Sequence, residues 1–382
     1  MQKIKDYDKL RKIISKFNIN GCIESIKPID NGIINTTYVV SFKDGDKSLK
    51  YLLQKINTNV FKEPYRLMKN IENVTNYIKS KDDGNRDYVN VITTKEGAPL
   101  YVSKDEFDHK EYYRVYNYID DSITYNKSES NEVVYNAGMA FGHFCKVLRN
   151  YPMELLEETI ENFHNTKKRY LDFLESYKLD AVGRKQKAYQ EICEIMSRQD
   201  VCSIIVDLLD KKKIPYRVTH NDTKVNNVLM DAKTKKPVAV IDLDTVMPGS
   251  GLYDYGDGVR SAASTALEDE KDLSKVSIDI EMFKAYTDGY LSEMACYLKP
   301  AEVNNMVNAI RVITLELAIR FLDDYLNGDT YFKTDYEDHN LDRARNQLKL
   351  VKDIESKMPE MENYVQECYK KHKGISKTKK HH

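Results

Sequence analysis

The run Val218-Thr-His-Asn-Asp-Thr-Lys-Val-Asn-Asn-Val-Leu-Met230 gathers polar, chemistry-bearing side chains between β-type apolar residues. It predicts a polar loop held by flanking strands, a setting in which a reactive group is both exposed and positioned. Within it, Asp222 could accept a proton from, or orient, an attacking hydroxyl. Lys224 could neutralise charge on a transferring phosphoryl group, and Asn227 could offer a neutral oxygen to Mg2+. Further on, Val238-Ala-Val-Ile-Asp242-Leu-Asp244 reads as a strand ending in two carboxylates. Strand alternation predicts Asp242 and Asp244 on one face, with Leu243 turned into the core. Crowded carboxylates repel unless a cation or basic group lies between them. An Asn and an Asp reached from two loops suit Mg2+, which takes its remaining ligands from water and phosphates. A lone His-x-Asp is ordinary turn-capping chemistry, but that reading weakens once Lys224 and the Asp-ended strand are counted with it. For His220, packing and hydrogen bonding that hold the loop are the expectation. No second His or Cys stands at zinc-ligand spacing nearby.

Upstream, a helix-like start (Tyr7 to Phe17) precedes β-type runs at Ile23 to Ile29, Thr37 to Phe42 and Leu49 to Ile56. Turn signals at Asp30-Asn31-Gly32 and Asp44-Gly45-Asp46 predict an antiparallel meander. An amphipathic stretch follows (Tyr65 to Ile78), then a loop from Lys81 to Asp87 and strands near Val89 to Thr94, Leu100 to Ser103 and Tyr112 to Ile119. From Glu129 the period switches to 3.6: Val133, Ala137, Phe141, Phe144 and Leu148 share one face, and Val303, Val307, Ile310, Leu317 and Phe321 another. The expectation is an α+β chain. A small β-rich N-terminal lobe spans 1–120, a larger, mainly helical lobe spans 121–371, and a basic tail over 372–382 frays from Lys370.

Within the first lobe, Asn31 and Gly32 of the turn could lay backbone N–H groups over nucleotide phosphates, joined by the hydroxyls of Thr36 and Thr37. Taken alone the segment is simply a tight turn, and the chain has no G-x-x-x-x-G-K-[ST] loop. On the third strand, pleat alternation lets only one of Gln54 and Lys55 face a nucleotide. Tyr116 and Tyr118, at the lobe junction, could bind adenine through main-chain groups. Arg320, Asp323 and Asp324 fall within one helical turn, before a break at Gly328.

Composition narrows the function classes. The 382 residues carry 59 Lys+Arg against 60 Asp+Glu, a net charge of −1. That balance gives no general pull toward nucleic acid or anionic membrane. No run is apolar and long enough for a membrane span, and Met1 to Ile14 lacks the continuous apolar core of a secretion signal. Six cysteines show no C-x-x-C pair, so reduced thiols in a cytoplasmic protein are expected.

These residues resemble the aminoglycoside phosphotransferase and choline kinase superfamily, relatives of the protein kinases. His220-x-Asp222-x-Lys224-x-x-Asn227 is similar to the kinase catalytic loop, and Asp242 falls where a second Mg2+ ligand is expected. Asp254 of Tyr253-Asp-Tyr-Gly-Asp257 resembles the structural Asp that anchors that loop. Within the superfamily, the N-acetylhexosamine 1-kinase family is most similar. The segments that carry this are Asn31 to Tyr38, His220 to Lys224, Ile241-Asp-Leu-Asp-Thr-Val-Met-Pro-Gly249, Ala263 to Lys275, and Arg320 through Leu341. The resemblance covers about Ile26 to Val351. It implies a protein-kinase-like two-lobe fold and transfer of the ATP γ-phosphoryl to the anomeric hydroxyl of an amino sugar. In it Asp222 is the base, Asn227 and Asp242 hold Mg2+, and Asp244, Arg320 and Tyr331 surround the sugar. Two departures stand out: Ile33 occupies a position expected to be His, and Gln54 aligns with the usual phosphate-binding Lys. Another hydroxyl acceptor (choline, homoserine or an aminoglycoside) and a non-catalytic nucleotide-binding module remain as alternatives. Oligomeric state stays open, and the acidic string 263–275 is left as helix-start chemistry.

Overall fold

The computed structural model describes residues 2–29, 34–81, 88–126 and 129–378. Asp30, Asn31, Gly32 and Ile33 lie outside the described residues, as does most of the loop expected at Lys81 to Asp87. The chain forms two compact units. One comprises Met1–Ser122, Asn150–Ile160 and Val238–Met247; the other comprises Ile123–Arg149, Glu161–Pro237 and Pro248–His382. The first unit thus takes in two segments from beyond residue 120.

In the first unit, helix α1 (Gln2–Ile14) precedes β1 (Cys22–Ile29), β2 (Thr36–Asp44) and β3 (Lys47–Lys55). Helix α2 (Pro64–Lys81), β4 (Val91–Ile92), β5 (Tyr101–Lys104) and β6 (Lys110–Asn117) follow. The sheet runs β1-β2-β3-β6-β4 with β5 also on β6, and its pairings are antiparallel. Register pairs Asp44 with Lys47 across a two-residue loop. Gly45 there has φ +60°, the positive value a type II′ turn needs at its first central residue.

Period-2 alternation sorts the sheet faces. Val40, Phe42, Leu53, Tyr113 and Val115 pack with Leu10, Ile13, Ile14 and Phe17 into the core of this unit. Gln54 pairs with Arg114 and points the other way. Asn70 of α2 ties in the returning segments, donating to Glu157 O at 2.7 Å and Val246 O at 3.0 Å while accepting from Glu157 N at 2.9 Å.

Beyond the short β7 (Ser122–Ile123), the second unit is mainly helical: α3 (Asn131–Val147), α4 (Thr166–Leu179), α5 (Tyr189–Met196) and α6 (Gln199–Asp210). Next come β8 (Arg217–Thr219) and β9 (Val228–Asp231); β10 (Pro237–Val240) falls almost wholly in the segment that belongs to the first unit. The second unit resumes with β11 (Met247–Gly249) and α7 (Gly251–Ala263), then α8 (Ile280–Met294), α9 (Pro300–Val303), α10 (Met306–Leu326) and α11 (His339–Thr378). Small residues let α3 and α8 touch backbone to backbone. A Cβ on Gly138 would strike the Tyr286 carbonyl, one on Gly289 the Tyr135 carbonyl, and one on Gly142 would lie 2.7 Å from the Tyr290 carbonyl. Three further expectations need correction. Residues 370–378, expected to fray, continue α11. The strand expected over Val89 to Thr94 is confined to Val91–Ile92. Asp242 and Asp244 do not share a strand face: β10 stops at Val240, Asp242 is left-handed at φ 59°, and Leu243–Thr245 form a 3-10 turn. That turn exposes Asp242 and buries Asp244. The cysteines are free, and no helix among the described residues is long and apolar enough to cross a membrane.

Candidate active site

The loop between β8 and β9 is held from beneath by α7. His220 N and Asn221 N both donate to the Asp254 carboxylate, each at 2.8 Å. Thr223 Oγ1 donates to the Asp254 carbonyl at 2.6 Å, and Thr223 N donates to Asp257 Oδ2 at 3.0 Å. Asn221 has φ +64°, a left-handed conformation that Asn tolerates better than most residues. The buried His220 ring meets Phe141 and Phe144 of α3 edge-on, with centroids 5.5 and 5.9 Å away. Asp222 N donates to His220 Nδ1 at 3.3 Å, with Nδ1 as the acceptor. Asp254 and His220 therefore shape the loop from below.

Burial pushes the Asp254 carboxyl up to about 6, against the opposing pull of His220 and the loop N–H donors. A carboxyl raised in the folded state favours folding fully below its ordinary value near 3.8, and that contribution is lost as pH rises through about 6. In urea unfolding between about pH 4 and pH 6, the wild-type free energy is expected to fall relative to that of Asp254→Asn. Parallel curves for the two proteins would contradict this.

Above that support sits the reactive group. Asn227 Nδ2 donates to the Asp222 carbonyl at 2.8 Å and to Asp222 Oδ2 at 3.1 Å. Lys224 Nζ lies 3.1 Å from Asp222 Oδ1, and Asp222 raises the Lys224 pKa, outweighing burial. Asp222 is thus a half-exposed carboxylate fixed by a cation and an amide. With its Nδ2 turned to Asp222, Asn227 keeps Oδ1 as the end suited to a hard cation. Glu268 of the acidic string also raises Lys224 and is ion-paired to Arg260 at 2.6 Å. That string follows the end of α7, and within it Asp272 caps the 3-10 turn Leu273–Lys275 by accepting from Ser274 N at 3.1 Å, so the helix-start reading holds for that residue.

A second cluster lies behind the loop. His164 Nδ1 is 2.7 Å from Glu316 Oε1, and its Nε2 is 3.3 Å from the Asn221 carbonyl. Thr166 Oγ1 donates to Glu316 Oε2 at 2.5 Å. His164 is held above its ordinary value because Glu316 overcomes the burial that would lower it. Sequence reasoning missed His164 and Glu316, although a single carboxylate inside Leu315-Glu316-Leu317-Ala318 was a readable signal. Arg320, one turn beyond Glu316, lies over the rings of Phe163, Tyr331 and Phe332 at 5.7, 5.9 and 5.5 Å, so two predicted residues, Arg320 and Tyr331, meet. Asp324 instead anchors its own loop, accepting from the backbone N–H groups of Thr330, Tyr331 and Phe332 and from Asn340 Nδ2.

In the first unit, Lys55 is paired with Glu111 at 2.6 Å on the α1 side of the sheet. Gln54 faces the opposite side, donating to Thr37 Oγ1 at 3.0 Å and accepting from Arg114 Nε at 3.0 Å. Thr36 is exposed and Thr37 buried. Arg114, which sequence reasoning passed over, forms a two-pronged pair with Asp244 at 2.5 and 2.8 Å, and Asn35 Nδ2 adds a third bond at 2.6 Å. Both Asp244 oxygens therefore already have protein donors. A charged residue interrupting Tyr112-Tyr-Arg-Val-Tyr116 was the available signal. Tyr116 is buried under the Arg114 guanidinium at 5.1 Å, and Tyr118 N already donates to the Lys50 carbonyl at 3.2 Å.

Comparisons with known proteins bear on the family and the fold. The model of the family described as APH, phosphotransferase enzyme family, matches residues 25–291. Among solved structures, a microcompartment-associated aminopropanol kinase is similar with a TM-score of 0.60 and 14% identity, covering 93% of this chain and 98% of its own. A choline kinase from Cryptosporidium parvum reaches 0.57 at 15% identity, over 95% of this chain and 99% of its own. An amicoumacin kinase solved with AMP-PNP and Ca2+ reaches 0.56 at 15%, over 93% and 96%. Identities this low speak for the fold, which is protein-kinase-like, and the matched span speaks for the family. The chain belongs to the phosphotransferase enzyme family.

Proposed function

We propose that this phosphotransferase moves the γ-phosphoryl group of ATP to the anomeric hydroxyl of an N-acetylhexosamine, giving the sugar 1-phosphate and ADP. The observation that carries the kinase reading is Asp222, held by Asn227 Nδ2 and Lys224 above a loop locked to Asp254. Phosphoryl transfer asks a protein mainly for positioning and charge stabilisation, and this loop supplies both. Asp222 orients the acceptor hydroxyl and takes its proton late, as the O1–P bond forms and the bond to the bridging β,γ-oxygen breaks. Lys224 offsets charge on the transferring group. The family resemblance assigns Asn227 and Asp242 to Mg2+, and an amide oxygen and a carboxylate are each donors that a hard cation takes. When bound, Mg2+ neutralises the ATP phosphates. A related kinase solved with AMP-PNP and Ca2+ supports the donor and the need for a divalent ion. Phosphate contacts are assigned to Asn31, Gly32, Thr36 and Thr37, with Gln54 preferred over Lys55.

The sugar assignment rests on the long strings shared with the N-acetylhexosamine 1-kinase family. Arg320 and Tyr331 are assigned to the acceptor, and Asp244 to setting Arg114 in place. A choline acceptor is disfavoured because the aromatic group at Phe163, Tyr331 and Phe332 already faces a cation, the Arg320 guanidinium, which would repel a quaternary ammonium. Mg-ATP turnover with GlcNAc, GalNAc, choline, ethanolamine and aminoglycosides, followed by ³¹P NMR of the product, tests the proposal. An anomeric phosphate on one or both N-acetylhexosamines is expected. Turnover of choline alone, or phosphate at C6, would refute the acceptor or the regiochemistry while sparing the kinase.

A further inference from the structure

Far along α11, a second group of chemistry-bearing side chains plays no part in this mechanism. Cys368 and His372 stand one turn apart on α11 and face Asp288 of α8. His372 Nε2 lies 2.5 Å from Asp288 Oδ1, and the Cys368 Sγ–H donates to the same oxygen at 3.4 Å. One ligand atom from each residue lies within 4.8 Å of the others. Lys371 Nζ also reaches Asp288 at 3.1 Å, from a side chain 58% exposed. His372, by contrast, is only 12% exposed and Cys368 is buried.

A thiol, an imidazole and a carboxylate are together a borderline donor set, which suits Zn2+ better than Mg2+ or Ca2+. With Zn–S near 2.3 Å and Zn–O near 2.0 Å, a tetrahedral ion separates S and O by about 3.5 Å, close to the 3.4 Å found here. The N–O separation must widen by about 1 Å to reach the corresponding tetrahedral edge, within reach of small rotations of His372 and Asp288. Its exposure lets Lys371 leave Asp288 for water. Three protein ligands from two helices leave the fourth position to water.

We propose that Asp288, Cys368 and His372 form a zinc site that staples the end of α11 to α8. On binding, Cys368 releases its thiol proton to solvent and the thiolate, the neutral His372 ring and the Asp288 carboxylate take the ion. No redox step is involved.

The test uses the full chain carrying His381→Ala and His382→Ala, so that terminal imidazoles do not contribute, kept reduced and metal-free. Titration with Co2+ is expected to saturate at one equivalent with a thiolate-to-metal charge-transfer band, and Zn2+ should displace the cobalt. Cys368→Ser should abolish the band and weaken zinc binding more than about a hundredfold, beyond the cost of losing an outer-shell partner. Asp288→Asn and His372→Ala should weaken it as well. Circular dichroism and unchanged Mg-ATP turnover of Cys368→Ser show that the fold survives. No band in the parent, or a band that persists in Cys368→Ser, would overturn the site.

Discussion

Asp222→Asn is expected to lower kcat by roughly 10²- to 10⁴-fold, the range a positioned acid–base group contributes, while the Kd for ATP stays within a fewfold of wild type. The amide keeps the size of the carboxylate but cannot take the hydroxyl proton. It also disturbs its neighbours, since its NH2 must face either the Lys224 ammonium or Asn227 Nδ2, both donors. Steady-state turnover with Mg-ATP and an N-acetylhexosamine, with nucleotide affinity measured separately, separates the two effects. A parallel collapse of ATP binding would move Asp222 from the chemistry to the nucleotide site. Full turnover would remove it from the mechanism.

Asp244→Ala is expected to cost about 3–5 kcal/mol of stability, because it strands the Arg114 guanidinium without its counter-charge. The two side chains are only 2% and 4% exposed, so water cannot take over as it would for a surface pair. The double replacement Arg114→Met with Asp244→Leu should recover most of the loss, since an apolar pair of similar volume carries no buried charge. Urea unfolding of both variants checks this, and a loss below about 1 kcal/mol for Asp244→Ala would mean the pair is hydrated in solution. Turnover of the double variant also tests the proposed phosphate role of Gln54, because that variant removes the Arg114 Nε donor to Gln54 and is expected to turn over more slowly.

Legibility followed sequence distance. Period-2 runs placed β1, β2, β3 and β6 within a few residues, and period 3.6 found α3 and α10, because those signals are local and the buried face repeats. The loop carrying Asp222, Lys224 and Asn227 was legible because its groups lie within six residues of one another. Partners brought together from far away were not. Arg114 meets Asp244 across 130 positions, and His164 meets Glu316 across 152. No local pattern marks such a pair, and each member reads as one charge in an apolar run.

By itself, then, the sequence determined the α+β architecture, the order of strands and helices, and the loop on which the chemistry is proposed. Hydrophobic period, turn residues and residue spacing act over a few positions and are written directly in the chain. Only the tertiary structure decided which sheet face Gln54 and Lys55 occupy, with Arg114 claiming one and Glu111 the other. It also decided that Asp242 turns left-handed and exposed while Asp244 is buried. Those outcomes depend on which distant charge is desolvated beside which, and the energy of a buried ion pair exists only once both partners have left water.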